Sequence, residues 1–281
     1  MAILTQLVLY PIKSCAGIAV PAATVHHSGL SALGVSDREW MLVDQDGRFL
    51  TQREYPRMAL IVPRVEGDAM ILHAPAIAPL ALPLALPPPA ARRPVRIWDD
   101  SAWALDCGDA AALWCSAALG VTCRLVRCDP AALRHASTRW TDGVAVPVMF
   151  SDGYPILLIG AASLADLNTR LRAAGRAALP MERFRPNLVV DDIAAFEEDY
   201  ADSFEAGALR LKPVKPCPRC PIPSVDQATG APGPDPLDIL QSYRAKAQLD
   251  GAICFGMNCI VSAGAGLTLR AGDRLEVNLA F

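Results

Sequence analysis

Alternating apolar and polar residues over the first 65 residues predict short β-strands separated by turns. Two apolar runs, ILTQLVLYPI and ATVHHSGL, are followed by REWMLVDQDGRFLTQR, in which Asp46-Gly47 separates two apolar segments. An Asp-Gly pair flanked in this way is typical of a hairpin turn, because both residues tolerate the turn conformation. We therefore predict a strand-rich beginning with a hairpin at Asp46-Gly47.

Prolines interrupt the pattern between Ala74 and Pro94. Because proline donates no backbone hydrogen bond, this stretch is predicted to form edge strands and loops. The uncharged run from Ala69 to Ala91 is apolar enough to suggest a membrane segment, but it contains Pro75, Pro79, Pro83, Pro87, Pro88 and Pro89. Interior prolines break a helix, so a membrane-spanning helix is not expected there.

Three later segments combine helical spacing of apolar residues with a residue that can cap a helix. They are AAALWCSAAL after Asp109, LADLNTRLRAA after Ser163, and LDILQSYRAKA after Asp235-Pro236. Asp and Ser accept hydrogen bonds from the first turn of a helix, and proline suits its first position. Gly120 and Gly175 follow the first two segments and are predicted to end them.

The last strand signal, GLTLRAGDRLEVNL, predicts a hairpin that turns at Gly272-Asp273. Predicted strands outnumber predicted helices, which favours a β-rich α+β fold with barrel-like sheets. We place a domain boundary after the first helix. This divides the chain into an N-terminal domain of residues 1–120 and a second domain of residues 121–281.

Composition and charge exclude some classes of function. The 281 residues include 26 Lys+Arg and 29 Asp+Glu, a formal net charge of −3, whereas general nucleic-acid or membrane-surface binding needs a basic excess. No basic residue precedes Lys13, so a secretory signal is not expected. The nine cysteines are an odd number, which favours reduced thiols over a disulfide framework. We therefore expect a cytoplasmic protein.

The densest chemical feature is the segment KPCPRCPIP, which begins at Lys215 and contains Cys217 and Cys220. A redox dithiol of the thioredoxin type needs a helix after the second cysteine, which the prolines at 221 and 223 oppose. A zinc site needs two more ligands, and Cys254 and Cys259 are too widely spaced for a zinc knuckle. The remaining interpretation is a rigid loop that presents one thiolate.

Charge and metal chemistry support that interpretation. Lys215 and Arg219 would favour an ionised thiol in the loop. One soft thiolate is also what a transition metal held mainly by its own organic ligand would require of a protein. The four histidines show no metal-ligand spacing, and Trp98 and Trp114 are expected in the core or at an interface.

Several motifs together resemble one known family. They are LYPIKSCAGI, GVSDREWMLVDQDGRFLTQR, DGYPILLIGAASLADLN, FRPNLVV, KPCPRCPIPSVD and LRAGDRLEV. In this order and over nearly the whole chain, they resemble MOSC-domain proteins with an N-terminal β-barrel domain. That family includes the mitochondrial amidoxime-reducing components and their bacterial counterparts.

The resemblance implies a molybdenum cofactor whose metal is bound by a pterin dithiolene and by one protein cysteine. The family's ligand is the second cysteine of the loop, which corresponds to Cys220. Cys217 is expected not to bind the metal, because dithiolene sulfurs, oxygens and an open substrate position should complete the coordination.

The resemblance also supplies residues for the anionic pterin phosphate, since arginine and lysine match phosphate oxygens. The implied cofactor-binding set is Lys13, Ser14, Arg38, Arg53, Ser163, Arg185, Asn187 and Arg219. Arg38 and Arg53 could instead be solvated surface charges, and Ser163 could be a helix cap alone or a cap whose helix faces an anion. Asp152 is either a catalytic carboxylate near the metal or an ordinary turn residue.

The function implied by the resemblance is reduction of N-hydroxylated compounds such as amidoximes, hydroxylamines and N-hydroxylated bases. Two electrons and two protons would remove the oxygen as water. Few residues follow GDRLEV, so we expect no ferredoxin domain there and a separate electron donor: a ferredoxin, a flavoprotein or a cytochrome b5-like protein. The alternative is a sulfur carrier or cofactor-binding module in which Cys220 carries a persulfide.

Overall fold

The computed structural model describes residues 1–85 and 91–280, which form a β-rich α+β fold. The strands are β1 (Ala2–Leu9), β2 (Ile18–Val20), β3 (Ala22–His26), β4 (Gly29–Ala32), β5 (Val35–Ser36), β6 (Trp40–Val43), β7 (Val62–Glu66), β8 (Ala69–His73), β9 (Leu80–Pro83), β10 (Arg92–Ile97), β11 (Asp100–Asp106), β12 (Arg124–Cys128), β13 (Arg134–His135), β14 (Pro147–Val148), β15 (Ile156–Gly160), β16 (Leu188–Asp191), β17 (Ala201–Ala206), β18 (Leu209–Pro218), β19 (Ala245–Lys246), β20 (Ala252–Ala263), β21 (Thr268–Arg270) and β22 (Arg274–Leu279). The α-helices are α1 (Asp109–Leu119), α2 (Ala161–Ala173) and α3 (Leu237–Arg244).

Seven strands form a closed barrel in the order β15-β16-β1-β22-β17-β18-β20, with β20 pairing back onto β15. Closure depends on the length of β20, whose 12 residues pair with β18 over most of its course and also with β15. Closing the sheet leaves no barrel edge with unpaired backbone groups. The predicted β-rich fold with a barrel is therefore confirmed.

Strands β15 and β16 are parallel and are connected by α2, as in a β-α-β unit. All five residues of β15 (ILLIG) are buried, because the sheet covers one side and α2 covers the other. Leu164, Leu167 and Leu171 of α2 pack into the same apolar cluster as Phe184 and Phe255. The sequence pattern did not predict this crossover, since an apolar run carries no information on strand direction.

Four smaller sheets accompany the barrel in the described part of the chain. They have the orders β10-β11-β12-β6, β7-β8-β9, β21-β3-β4-β5 and β13-β14. Strands β9 and β10 are both at sheet edges, which confirms the prediction of edge strands for the proline-punctuated stretch. Pro94 lies within β10, where an edge position spares it a lost ladder hydrogen bond. Residues 86–90 of that stretch lie outside the described residues.

Strand β1 connects the N-terminal part of the chain to the barrel, because it pairs with β16 on one side and β22 on the other. Backbone hydrogen bonds therefore join residues on both sides of the predicted boundary at residue 120. The boundary itself stays a prediction.

The three predicted helices form, but their first residues differ from the prediction. Asp109 is the first helical residue after Gly108, and Ser163 is the third residue of α2, so neither side chain caps its helix. Asp235 does cap α3 through a 3.0 Å hydrogen bond from the Leu237 amide, although this helix ends at Arg244 and not at Ala247. No helix in residues 1–85 or 91–280 has the length and hydropathy needed to cross a membrane.

Two of the predicted strand arrangements are wrong. β21 pairs with β3, whereas β22 pairs with β17 and β1, so the chain turns near Gly272-Asp273 without forming a hairpin. The run ATVHHSGL is not one strand but the β3–β4 hairpin. In both places the turn residues were recognisable, but strand partners depend on distant segments.

The Asp46-Gly47 turn is present, and the Asp44 amide closes it by donating a hydrogen bond to the Arg48 carbonyl at 2.9 Å. Beyond the turn, the expected second strand is reduced to an isolated bridge between Val43 and Phe49. The predicted hairpin is therefore confirmed only at its turn.

Barrel closure gives a stability prediction at Gly256 in β20. Its φ is +79°, and an added Cβ would lie 2.6 Å from Ile159 Cγ1 and 2.9 Å from the Leu158 carbonyl oxygen. We expect Gly256→Ala to lower the free energy of unfolding by about 2–4 kcal/mol, from the left-handed backbone and from crowding. Urea denaturation measures this change.

Gly207→Ala is the matched control, because Gly207 also has a left-handed φ of +58° but has nothing within 4 Å of its added Cβ. Its free energy of unfolding should fall by about 1 kcal/mol, because only the left-handed backbone contributes. Equal losses in the two variants would contradict the packing argument.

Candidate active-site cleft

A cleft of about 130 Å³ lies where the N-terminal segments meet the barrel. It is smaller than three other surface cavities, but it gathers most of the chemically active residues predicted from sequence. The predicted residues that line it are Lys13, Ser14, Arg38, Asp152, Arg185, Asn187, Arg219 and Cys220. Cys217 lines it too. Residues distant in sequence are thus brought together by the fold.

Each side of the cleft comes from a connection between strands. Lys13 and Ser14 follow β1, Arg38 precedes β6, and Arg185 precedes β16. Ser14, Arg38 and Arg185 have left-handed backbone conformations, with φ values of 65°, 51° and 55°. Non-glycine residues adopt this region at a cost, so three such residues at one cleft mark a place where surrounding packing imposes the geometry.

Asn187 is buried, and its side chain makes three hydrogen bonds across the cleft floor. Its Oδ1 accepts from Arg38 Nη1 at 2.9 Å and from the Leu157 amide at 3.1 Å, while its Nδ2 donates to the Val8 carbonyl at 3.2 Å. Arg38 also pairs with the buried carboxylate of Asp37. Burial alone would lower the pKa of Arg38, but Asp37 outweighs it and raises that pKa. Asn187 therefore orients a firmly charged guanidinium.

Arg185 is a buried cation with no carboxylate within 4 Å among the described residues. Its guanidinium lies 4.2 Å from the ring centroid of Tyr10, and Nη1 reaches Gln227 Oε1 at 3.5 Å. Burial lowers the pKa of Arg185. Because a buried guanidinium without a counter-ion is costly, an anion in the cleft would be stabilised here.

Lys13 and Asp152 form an ion pair at the edge of the cleft. Lys13 is buried, and its Nζ donates to Asp152 Oδ1 at 2.6 Å and to the Phe150 carbonyl at 2.8 Å. Burial lowers the pKa of Lys13 despite this partner. Loss of solvation opposes ionisation of Asp152, but Lys13 and the Trp98 indole, which donates at 3.0 Å, hold the pKa of Asp152 well below its usual range.

Cys217 and Cys220 lie at the end of β18 and just beyond it, and both are partly exposed in the cleft. Arg219 Nη1 lies 3.4 Å from Cys217 Sγ, and Nη2 donates to the Phe184 carbonyl at 2.8 Å. The Arg219 guanidinium therefore contacts the Cys217 thiol.

Burial raises the pKa of each of the other seven thiols, which makes them poor metal ligands or nucleophiles. They are Cys15, Cys107, Cys115, Cys123, Cys128, Cys254 and Cys259. Within the described residues, no three or more His, Cys, Asp or Glu side chains are grouped so that they could hold a metal by themselves. The zinc alternative therefore has no four-ligand arrangement in the described chain.

Two predicted site residues do not line the cleft. Ser163 is fully buried, donates to the Glu198 carboxylate at 2.7 Å and accepts from the Phe196 amide at 2.8 Å, so its hydroxyl is already used. Arg53 lines a neighbouring cavity and stacks on Trp98 at 4.3 Å. Trp98 was expected in the core or at an interface, and its 47% exposure excludes the core.

Sequence reasoning missed several residues that hold the cleft in shape. Tyr10 stacks on both Arg38 and Arg185, and burial raises its pKa to about 12. Gln52 is fully buried and donates to the Ser14 carbonyl at 2.7 Å and to Gln227 at 3.1 Å. Tyr10 lies within the motif LYPIKSCAGI and Gln52 within GVSDREWMLVDQDGRFLTQR, but nothing local to the sequence assigns them a partner.

Models of two protein families match the chain. The MOSC N-terminal beta barrel domain matches residues 1–122, and the MOSC domain matches residues 145–276. The closed barrel and the cleft between these parts agree with that class of protein. The chain belongs to the MOSC-domain proteins that carry an N-terminal MOSC β-barrel domain.

Within that class, the chain is similar to the mitochondrial amidoxime reducing components. It is 36% identical over 276 residues to component 2 of Rattus norvegicus, covering 94% of this chain and 80% of the relative. It is 35% identical over 247 residues to component 1 of Homo sapiens, covering 85% of this chain and 71% of the relative. These relatives extend the family resemblance from single motifs to nearly the whole chain.

Solved structures match less closely. The YuaD protein of Bacillus subtilis is 18% identical with a TM-score of 0.30, covering 53% of this chain and 76% of that protein. YiiM of Geobacillus stearothermophilus is 15% identical with a TM-score of 0.28, covering 44% of this chain and 54% of that protein.

The Lys13–Asp152 pair gives a prediction on pH and stability. Asp152→Asn should cost about 1–2 kcal/mol at pH 7, less than for a fully buried pair because the Asp152 side chain is 61% exposed. The pKa of Asp152 lies below its unfolded value of about 3.9, so the carboxylate stabilises the fold above that pH. The difference between wild type and variant should therefore shrink as pH falls below about 4.

Urea unfolding at pH 7 and pH 3.5 measures this difference. Asp142→Asn is the control, because Asp142 pairs with Lys212 on the surface, where its side chain is 78% exposed. That variant should remain close to wild type at both pH values. A cost for Asp152→Asn that is independent of pH would contradict the ion-pair argument.

Proposed function

We propose that this protein is a molybdenum-cofactor-dependent reductase that converts N-hydroxylated compounds to the corresponding N–H compounds. The observation that carries the proposal is the convergence of Arg38, Arg185, Asp152 and Cys220 on one cleft. The name of the relatives, amidoxime reducing component, supports N-hydroxylated compounds as the substrate class. For an amidoxime, two electrons and two protons would yield the amidine and water.

The residues present fit a large anionic cofactor with many acceptor atoms. Ser151 Oγ, Tyr154 OH and Arg219 Nε are buried without a hydrogen-bond partner, and all three residues line the cleft. Buried polar atoms are usually paired, so such a group favours a ligand that supplies the missing partners. A phosphorylated pterin has oxygens and nitrogens suited to these donors.

Cys220 is the proposed metal ligand, and the bound cofactor would supply the two-electron redox chemistry. Its partly exposed thiol lies in the cleft, and Arg219 is its neighbour in the chain. Cys217 is proposed to remain unligated. Arg219 Nη1 lies 3.4 Å from its Sγ, so this thiol already has a protein partner.

Arg185 and Arg38 are the proposed phosphate-binding pair. Both guanidiniums contact the Tyr10 ring, at 4.2 Å and 4.6 Å from its centroid, and Arg185 lacks a carboxylate partner among the described residues. Planar guanidiniums bind phosphate oxygens in pairs. Lys13 and Ser14 adjoin them in the cleft, and Asn187 acts by orienting Arg38.

Asp152 and Lys13 are proposed to handle protons at the cleft edge. Their 2.6 Å hydrogen bond joins an acceptor and a donor, and the buried Lys13 has a lowered pKa. A lysine that releases its proton more readily than usual can pass it toward a substrate oxygen that leaves as water.

A separate protein is proposed to deliver the electrons, either a ferredoxin, a flavoprotein or a cytochrome b5-like protein. The relatives are named amidoxime reducing components, and the word component fits a system of more than one protein. We also propose the cytoplasm as the site of action, since none of the nine cysteines is disulfide-bonded in the described residues and reduced thiols fit a reducing compartment.

The metal-ligand assignment is tested by Cys220→Ala in protein made in cells able to synthesise the cofactor. We expect loss of molybdenum and of benzamidoxime reduction with an artificial reductant, because the protein's only bond to the metal would be removed. Elemental analysis and the reduction assay measure these two effects. Full molybdenum and full activity in this variant would show that Cys220 is not the ligand.

Cys217→Ala is the control, and it should retain molybdenum. The wild type distinguishes the two functional hypotheses. If wild-type protein carries a persulfide on Cys220 and no molybdenum, the sulfur-carrier alternative replaces the reductase.

The phosphate role is tested by Arg185→Ala. We expect about a tenfold or greater loss of cofactor occupancy, because one charge-assisted contact to phosphate is removed. The free energy of unfolding should change little, since an uncompensated buried charge is removed at the same time. Arg172→Ala, on the exposed face of α2, should leave occupancy unchanged. Equal occupancy in both variants would exclude the role.

A further inference from the structure

A second cavity, of about 350 Å³, lies beside the candidate cleft and has no role in the cofactor site proposed above. Trp98 lines this cavity, and its indole N–H donates to Asp152 Oδ1 at 3.0 Å. Asp152 in turn lines the cleft that contains Cys220. One hydrogen bond between lining residues therefore connects the walls of the two cavities.

Flat aromatic and guanidinium surfaces form much of the second cavity. The rings of Trp98 and Phe49 pack in a T-shaped arrangement with their centroids 5.0 Å apart. The Arg53 guanidinium lies 4.3 Å from the centroid of the Trp98 ring. Flat walls of this kind favour planar ligands, because stacking needs a π face on both partners.

Trp98 occupies an unusual place for a large residue. It lies in the turn between β10 and β11, next to the Ile97–Asp100 pair, and its φ is +56°. A bulky residue in this conformation is strained. The contacts of Trp98 with Asp152, Phe49 and Arg53 hold it there, although 47% of its surface is exposed.

The polar groups of the second cavity have both signs. Arg48, Arg53 and Arg96 line it as donors, and Arg53 Nε is buried without a hydrogen-bond partner. Carboxylates of Glu54 and Asp99 line the same cavity, and Glu54 also pairs with Arg48 at 2.5 Å. Donors and acceptors together suit a neutral planar compound with N–H groups and acceptor atoms at its edges.

We propose that this second cavity binds the planar aromatic or heteroaromatic body of an N-hydroxylated substrate, and that Trp98 selects it. An aryl amidoxime or an N-hydroxylated nucleobase has the required faces and edges, with its N–O group directed to the adjoining cleft. The proposal rests on the proposed reductase function and adds a substrate-binding cavity with a residue that determines specificity.

The test compares benzamidoxime with acetamidoxime, which share the reacting group and differ in having a phenyl ring or a methyl group. Trp98→Ala should reduce the ratio of kcat/KM for benzamidoxime over acetamidoxime about tenfold or more, through a higher KM for the aryl substrate. The molybdenum-loaded protein is assayed with reduced methyl viologen as the electron source. Using a ratio cancels any common effect of losing the Asp152 hydrogen bond.

Two further variants separate stacking from other effects. Trp98→Phe keeps an aromatic face but lacks the indole N–H, so it should retain most of the aryl preference. Trp103→Ala is the matched control, because Trp103 is on the same hairpin, is 49% exposed, and stacks on Arg92 without lining the second cavity. It should leave the ratio unchanged. An unchanged ratio in Trp98→Ala would overturn the proposal.

Binding is also measured without turnover, by saturation-transfer NMR with benzamidoxime on the oxidised protein. Signal should appear with wild type and Trp103→Ala and fall strongly with Trp98→Ala. If wild type reduces neither substrate but this binding pattern appears, the proposed function fails and the planar-ligand cavity stands. If wild type reduces both substrates but shows no Trp98-dependent binding or preference, only the cavity proposal fails.

Discussion

The hydrogen bonds of Asn187 connect the barrel to the cleft, and the remaining site geometry depends on them. Its backbone amide donates to the Leu157 carbonyl, and its carbonyl accepts from the Val8 amide. Its side chain bonds the same two residues at their other polar atoms and also holds Arg38. One buried residue thereby fixes β1, β15 and the Arg38 guanidinium of the candidate cleft relative to one another. A buried amide that makes several hydrogen bonds is a strong geometric constraint, because any displacement leaves polar groups unpaired.

Around that constraint, the cleft holds three buried or nearly buried cations that are compensated in different ways. Arg38 pairs with Asp37, and Lys13 pairs with Asp152. Among the described residues, the Arg185 guanidinium contacts the Tyr10 ring and lies 3.5 Å from Gln227 Oε1, without a carboxylate partner. The uncompensated charge is therefore localised at Arg185, and a ligand anion would lower the electrostatic free energy there more than at the other two. Left-handed backbone at Ser14, Arg38 and Arg185 is tolerated because these contacts over-determine the surrounding loops.

Local sequence signals predicted the secondary-structure elements better than they predicted which strands pair. Prolines identified β9 and β10 as edge strands, and Gly120 ended α1 as expected, since both effects arise within a few residues. The failed C-terminal hairpin has the opposite cause. A Gly-Asp turn reverses the chain wherever it occurs, but β21 pairs with β3, and β22 pairs with β17 and β1. These partners lie in distant segments that the turn residues do not specify. The run ILLIG likewise did not predict that β15 pairs with β16 in parallel.

The sequence by itself determined the class of the fold and the chemistry available, because strand patterning, proline punctuation and the CPRC loop are local properties. Family motifs also nominated cations that were spread from residue 13 to residue 219. Only the tertiary structure decided which of them meet. In the folded protein, Arg185 lies against the Tyr10 ring and Ser163 donates a hydrogen bond to Glu198. Trp98 lies in a strained turn and donates a hydrogen bond to Asp152. Contacts between residues tens or hundreds of positions apart depend on barrel closure, which no short segment encodes.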